Sequence, residues 1–146
     1  GDKSVCPVFI VPGGASYNGI KNVALTSDFK NVRVTTPSIP IKAFLEMSRP
    51  SLHIVNVDSQ HYVSLTAEYQ HEKAVMQEMF SKFNPEFYFI GMNDFYEAIE
   101  QFIADQKIDV LITIPRRHSF FENMFKSSHT KKLVYHSNVP VLAVHE

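Results

Sequence analysis

The chain has 146 residues, 45% of them hydrophobic, which is the size of one domain and enough apolar material for a sizeable buried core. Fourteen Lys and Arg stand against fifteen Asp and Glu, so no overall field draws the protein toward nucleic acid or an anionic membrane, and neither is expected as a partner. The single cysteine, Cys6, excludes an internal disulfide, and no apolar run approaches the ~20 residues that span a bilayer, so a cytoplasmic location is expected.

In chain order, β-rich apolar runs at Asn22–Thr26, Leu52–Val57, Phe87–Ile90, Val110–Ile114 and Val139–Val144 predict five strands. They are near-continuously apolar rather than alternating, the pattern of parallel strands covered on both faces. Between the first two, Pro37 and Pro40 delay a helix to about Ile41, leaving Phe44, Leu45 and Met47 to pack before Pro50. A longer helix is expected from about Leu65 to Phe83, ending before Pro85, with Val75, Met76, Met79, Phe80 and Phe83 on its buried stripe. The clearest helical pattern places Phe95, Tyr96, Ile99, Phe102 and Ile103 on one face, and Asp94 with Glu97 marks a capped start. A last helix is expected from Ser127 or Ser128, either of which can cap its amides, to about His136. Strand and helix alternate, which predicts an α/β fold: a doubly wound, five-stranded parallel sheet with helices on both faces, Rossmann-like in plan. Ligands in such a sheet sit at the carboxyl ends of the strands, here after Thr26, Val57, Ile90 and Ile114.

One further strand lies ahead of these five. Ser4–Val11 reads like Ser137–Val144, each with Pro-Val followed by three apolar residues, at a separation close to one domain length. The expectation is that residues 1–16 hold the last strand of a preceding repeat and a linker, Pro12 to Ser16, and that residues 17–146 form the domain proper. An unrelated apolar strand is the alternative. Either way the strand has no domain of its own in this chain and needs an edge to pair with, in the same molecule or another.

Several anchors resemble the universal stress protein family over residues 20–146. Val23 to Phe29 is similar to the family's first strand, which ends in Thr-Asp-Phe or a like sequence, and Leu52 to Asp58 is similar to the second. Gly91 to Ile103 resembles the segment where a Gly closes strand three before an acidic amphipathic helix. Ile108 to Ile112 carries the Asp-apolar-apolar start of strand four, and Ser128 to Val144, with Lys132, His136 and Pro140, resembles the closing helix and Pro-Val-Leu strand.

The resemblance implies the adenine nucleotide alpha hydrolase-like variant of the fold. It also implies a glycine motif after strand four in nucleotide-binding members, because phosphate oxygens approach backbone amides at distances a β-carbon obstructs. Counted back from Pro140, its three glycine positions hold Ile114, Arg117 and Ser127, and only Ser128 keeps the pattern. Asp28 and Val57 match in type the positions that lie beside the adenosine in ATP-binding relatives, although Asp28 can equally turn the chain after its strand.

Arg116, Arg117 and His118 form the one concentrated basic cluster, at a strand's carboxyl end. Arginine forks there could grip phosphate or carboxylate, helped by Lys126 and the helix start at Ser127 and Ser128; the alternative is a solvated basic loop, the ordinary place for charge. Phe120, Phe121, Met124 and Phe125 follow at helical spacing and either anchor this loop or form a docking patch. His129 and His136 lie two turns apart, about 10 Å, with no Cys or paired carboxylate at ligand spacing, so no metal site is expected. No serine sits in a nucleophile-elbow pattern and Cys6 lies on the N-terminal strand, so no catalytic residue is assigned.

The expectation is therefore a nonenzymatic stress-response domain without a cofactor, acting through domain pairing and an unspecified protein partner. What the family resemblance implies for pairing is a last strand, Val139, Val141, Leu142 and Val144, that joins either another copy, as a homodimer, or the N-terminal strand through Val8 and Ile10. The alternative is a sensor of ATP, AMP or another anionic small molecule, built on Asp28, Val57, Arg116, Arg117, Ser127 and Ser128.

Overall fold

Three short runs rich in Val, Leu and Ile supply the middle of the sheet. In the computed structural model, which describes residues 7–13, 19–57, 66–91, 94–115 and 138–145, β2 (Asn22–Thr26) lies between β3 (Ser51–Val57) and β5 (Val110–Thr113), parallel to both. Strand β4 (Glu86–Ile90) extends the sheet beyond β3, and β6 (Val141–Ala143) extends it beyond β5, again in parallel. A sixth strand, β1 (Val8–Ile10), pairs antiparallel with β6, giving the order β1-β6-β5-β2-β3-β4. The fold is thus the expected five-stranded parallel sheet with an additional N-terminal strand.

Strand ends follow the sequence closely. Beyond β6 the ladder runs on, because Leu111 N donates to Pro140 O at 3.0 Å and Val144 N donates to Thr113 O at 2.9 Å. At the amino end, the Asp109 carboxylate accepts from the amides of Lys21 and Asn22 at 2.8 and 2.9 Å, while its own amide donates to Asn22 O. This clamp sets β5 against β2 and gives the acidic residue ahead of the apolar run a physical purpose.

The helices depart further from expectation. Helix α2 (Ser38–Ser48) starts three residues ahead of Ile41, because Pro40 falls in the first turn, where its missing N–H has no intrahelical partner to lose. A four-residue helix, α1 (Val32–Thr35), precedes it; the β-branched run Val32, Val34, Thr35 and Thr36 carries no helical signal, and the turn is held by Asn31 O accepting from Val34 and Thr35. The long helix α3 (Ala67–Met79) is shorter than the apolar stripe suggests: after Phe80 the chain tightens into a 3-10 turn, Ser81–Phe83, and leaves through Asn84 at positive φ before Pro85. Tightening still brings Phe83 into the core. Helix α4 (Phe95–Gln106) follows its prediction, although Tyr96 is only half-buried and Ala98 completes the buried face. The last helix expected from Ser127 or Ser128 lies outside the described residues.

Both faces of the sheet are covered. Ile41 and Leu45 of α2 and Val75 and Met76 of α3 pack with Val23, Leu25, Ile54, Val110 and Ile112 on one side. Phe95, Ile99, Phe102 and Ile103 of α4 pack with Ala24, Val55, Leu111 and Val141 on the other. Alternate residues of each strand therefore enter different cores, which is why the strands read as continuous apolar runs.

The α4 start is its most directly testable feature. Asp94 accepts from the amides of Tyr96 and Glu97 at 3.0 and 3.2 Å, satisfying two donors that the helix cannot. Replacing it by Ala is expected to lower the unfolding free energy by about 1 kcal/mol in urea denaturation, and Asp94→Asn to retain most of that stability.

Candidate functional site

The chain leaves β2 outward to β3 and β4, then returns to the other side of β2 to form β5 and β6. The strand order reverses at β2, and in a doubly wound sheet ligands bind in the crevice at such a point, by the carboxyl ends of β2 and its neighbours. Asp28 stands two residues beyond β2, and Val57 ends the neighbouring β3. They are 6% and 5% exposed, so the structure brings these two predicted residues to adjacent strand ends but buries both.

Local hydrogen bonds explain the course of the first loop. Ser27 N donates to Val55 O at 3.0 Å, extending the pairing of β2 with β3 by one residue. The Asn56 side chain, 2% exposed, donates to Ser27 O at 2.9 Å and so supplies the bond that the departing strand no longer makes. Ser27 Oγ then accepts from Phe29 N at 3.1 Å, and Asp28 Oδ1 accepts from Lys30 N at 3.0 Å. This is the turn role anticipated for Asp28, its carboxylate folded onto its own backbone two residues on.

Phe29 takes a backbone angle that few bulky residues adopt, φ 57°. Such a conformation costs of order 1–3 kcal/mol and persists where the surroundings over-determine it. Here the ring is 2% exposed and sits 4.9 Å from Phe89, 6.1 Å from Phe87 and 6.3 Å from Tyr69, centroid to centroid. Burying an aromatic ring of this size among aromatic neighbours offsets the strain and fixes the direction in which Asp28 leaves the sheet.

On the opposite side of the crevice, β5 ends in Thr113, whose hydroxyl is buried without a hydrogen-bond partner among the described residues. The Thr26 hydroxyl lies close by in the sheet and donates to Ile112 O at 3.4 Å. Ile114, at the first of the three glycine positions, is 6% exposed and packs into the core beneath α2 and α3. Arg116, Arg117, Ser127 and Ser128, together with Cys6, His118, His129 and His136, lie outside the described residues.

Among the described residues no group of three His, Cys, Asp or Glu side chains is placed to hold a metal ion. Asn56 and Thr113 were not singled out from the sequence, and the signal available was a polar residue inside an apolar strand. At the far edge, Val8, Phe9 and Ile10 of β1 stand opposite Ala143, Leu142 and Val141 of β6. Val8 remains 48% exposed, while Val141, Leu142 and Val144 are buried and Val139 is half-buried against the α4 core.

Comparison with known proteins places this geometry. The sequence model of the universal stress protein family matches residues 50–145. Among solved structures, the fold is similar to a universal stress protein from Archaeoglobus fulgidus DSM 4304, with 19% identity and a TM-score of 0.64 over 96% of this chain and 50% of that one. A putative universal stress protein from Pseudomonas aeruginosa UCBPP-PA14 matches with 15% identity and a TM-score of 0.63, over 96% of this chain and 52% of that one. A universal stress protein solved in complex with cAMP matches with 14% identity and a TM-score of 0.61, over 87% of this chain and 98% of that one. The chain thus spans about half the length of the first two structures and nearly all of the third. A search of curated proteins finds no match. With the family match covering well over half of its residues, and with the strand order and two-sided helix packing described above, the chain belongs to the universal stress protein family.

Proposed function

We propose that this chain is the second half of a tandem universal stress protein and works without catalysis, through the pairing of domains, with a nucleotide cleft that has lost its phosphate cradle. The observation that carries this reading is the antiparallel seating of β1 on β6, which supplies main-chain partners to a strand that otherwise ends the sheet. Coverage supports it as well: the structures about twice as long match 96% of the chain, whereas the one matched over nearly its whole length leaves out a share about equal to the N-terminal strand and its linker. In this reading Val8 and Ile10 belong to the preceding repeat, and Val139, Val141, Leu142 and Val144 form the receiving edge. In the same reading residues 17–146 are the universal stress protein domain.

Removal of residues 2–12 tests the pairing. A bare β6 edge offers unpaired amides and carbonyls to its counterpart in a second molecule, and the expected result is a shift from monomer to dimer in size-exclusion chromatography with light scattering. An unchanged monomer for both chains overturns the reading.

A second reading has one specific observation in its favour, the similarity to a universal stress protein in complex with cAMP. In that reading the chain senses ATP, AMP or another anion through Asp28, Val57, Arg116, Arg117, Ser127 and Ser128. Against it stand the burial of Asp28 and its engagement with Lys30 N, and the absence of glycine at position 114, the first place of the motif. Calorimetry with ATP, AMP and cyclic dinucleotides separates the two. No heat of binding at micromolar concentration is expected; micromolar affinity that weakens in Arg117→Ala overturns the degenerate cleft.

A further inference from the structure

A polar cluster lies at the amino end of the sheet, away from both the crevice and the pairing edge. His53, only 6% exposed, projects from β3 on the side covered by α4. Its Nε2 is 3.1 Å from Asn22 Oδ1 on β2, and its Nδ1 is 3.0 Å from the Tyr88 hydroxyl on β4. The same hydroxyl donates to Glu86 Oε2 at 3.0 Å. Phe102 of α4 closes the cluster edge-on, its centroid 6.3 Å from His53 and 4.9 Å from Tyr88.

The protons available decide what these contacts can be. Tyr88 has one hydroxyl proton. If it goes to Glu86, Nδ1 must donate to the hydroxyl oxygen; with the Asn22 amide oxygen toward it Nε2 donates as well, which only an imidazolium can do, whereas a turned Asn22 amide fits a neutral Nδ1–H ring. A neutral ring that donates from Nε2 to Asn22 leaves Nδ1 bare, and Tyr88 then turns its proton from Glu86 to the imidazole. One proton on His53 therefore sets the direction of the Tyr88 hydroxyl.

We propose that His53, Tyr88 and Glu86 form an acid-sensitive latch that holds helix α4 against the sheet. With the ring neutral, Tyr88 donates to His53 and joins β4 to β3 and, through Asn22, to β2. With the ring protonated, both ring nitrogens donate and the strands stay joined, but the hydroxyl turns back to the exposed Glu86 carboxylate and a positive charge lies buried beneath Phe102, which loosens α4 from the sheet. This inference is independent of domain pairing and of the nucleotide cleft.

The electrostatics agree with that direction. Burial holds the His53 imidazole below its usual value, opposed by the negative charge of Glu86. Burial, with the hydrogen bond to Glu86, pushes the Tyr88 hydroxyl up to about 12, so it stays protonated and available to both neighbours. Asn22 faces the ring from β2, Tyr88 and Glu86 from β4 and Phe102 from α4; Glu86 is the one charged group acting on it among the described residues. A histidine with a lowered native value binds fewer protons folded than unfolded. Its contribution to stability is complete above the unfolded value, about 6.5, and is lost as pH falls through the native one.

Nuclear magnetic resonance of the intact chain tests the latch. The neutral His53 ring is expected as the Nε2–H tautomer, titrating below 6.5, with Glu86→Gln lowering that value further and Tyr88→Phe abolishing the hydrogen-bonded Nδ1 signal. Amide protection in α4 is expected to fall on acidification from pH 7.5 to 5.5, by up to about tenfold for each unit by which the native value lies below the unfolded one, and His53→Asn to remove that fall. The proposal is overturned by an Nδ1–H tautomer, by one titration curve shared by the intact chain and both variants, or by an equal acid response with and without His53. If His53→Asn does not fold, the tautomer and the Glu86→Gln and Tyr88→Phe titrations decide.

Discussion

Everything in this domain is arranged to keep β2 dry and paired on both edges. Its five residues pair with β3 on one side, and Val23, Ala24 and Leu25, which are fully buried, pair with β5 on the other. A parallel strand in that position has no solvated face, so helices must cover both sides, and the crossovers that build the sheet deliver them. The Asp109 clamp at one end and the Asn56 bond at the other mark where β2 begins and ceases to be a strand. Between them the backbone has no unsatisfied direction in which to slip.

Because the strand order reverses at β2, the same constraint creates the crevice. At such a reversal a doubly wound sheet leaves a gap by the carboxyl ends of its strands. In this chain the gap is lined on the β2 side by groups already committed to one another: Ser27 to Phe29, Asp28 to Lys30 and Asn56 to Ser27. A carboxylate that closes its own turn is poorly available to a ligand. The proposed loss of nucleotide binding is thus more than a change of motif, since Ile114 and the polar groups on the β2 side have structural work of their own.

Much of this was legible in the sequence. Strands announce themselves because their apolar residues must fill two cores at once, and α4 because its amphipathic face and acidic cap coincide. The start of α2 was misplaced because a proline can open a helix as readily as forbid one. Helix α1 was missed because Val and Thr are ordinary strand residues whose turn here depends on long-range contacts, including Glu72 accepting from the Val32 amide. Asp28 is legible from its place at a strand end, whereas Asn56, His53 and Thr113 are single polar residues inside apolar runs. Their importance lies in partners from other strands, and no local pattern records those.

Phe29 carries a consequence for the order of assembly. Its slot is made by Tyr69, Phe87 and Phe89, residues that follow it in the chain by about three to five dozen positions. Until α3 and β4 have docked there is no aromatic pocket to offset a left-handed phenylalanine, and the loop that bears Asp28 has no reason to hold its shape. Closing so long a connection comes late, after the local helices have formed. The rim of the crevice therefore takes its shape only once α3 and β4 are in place, and loses it when either detaches.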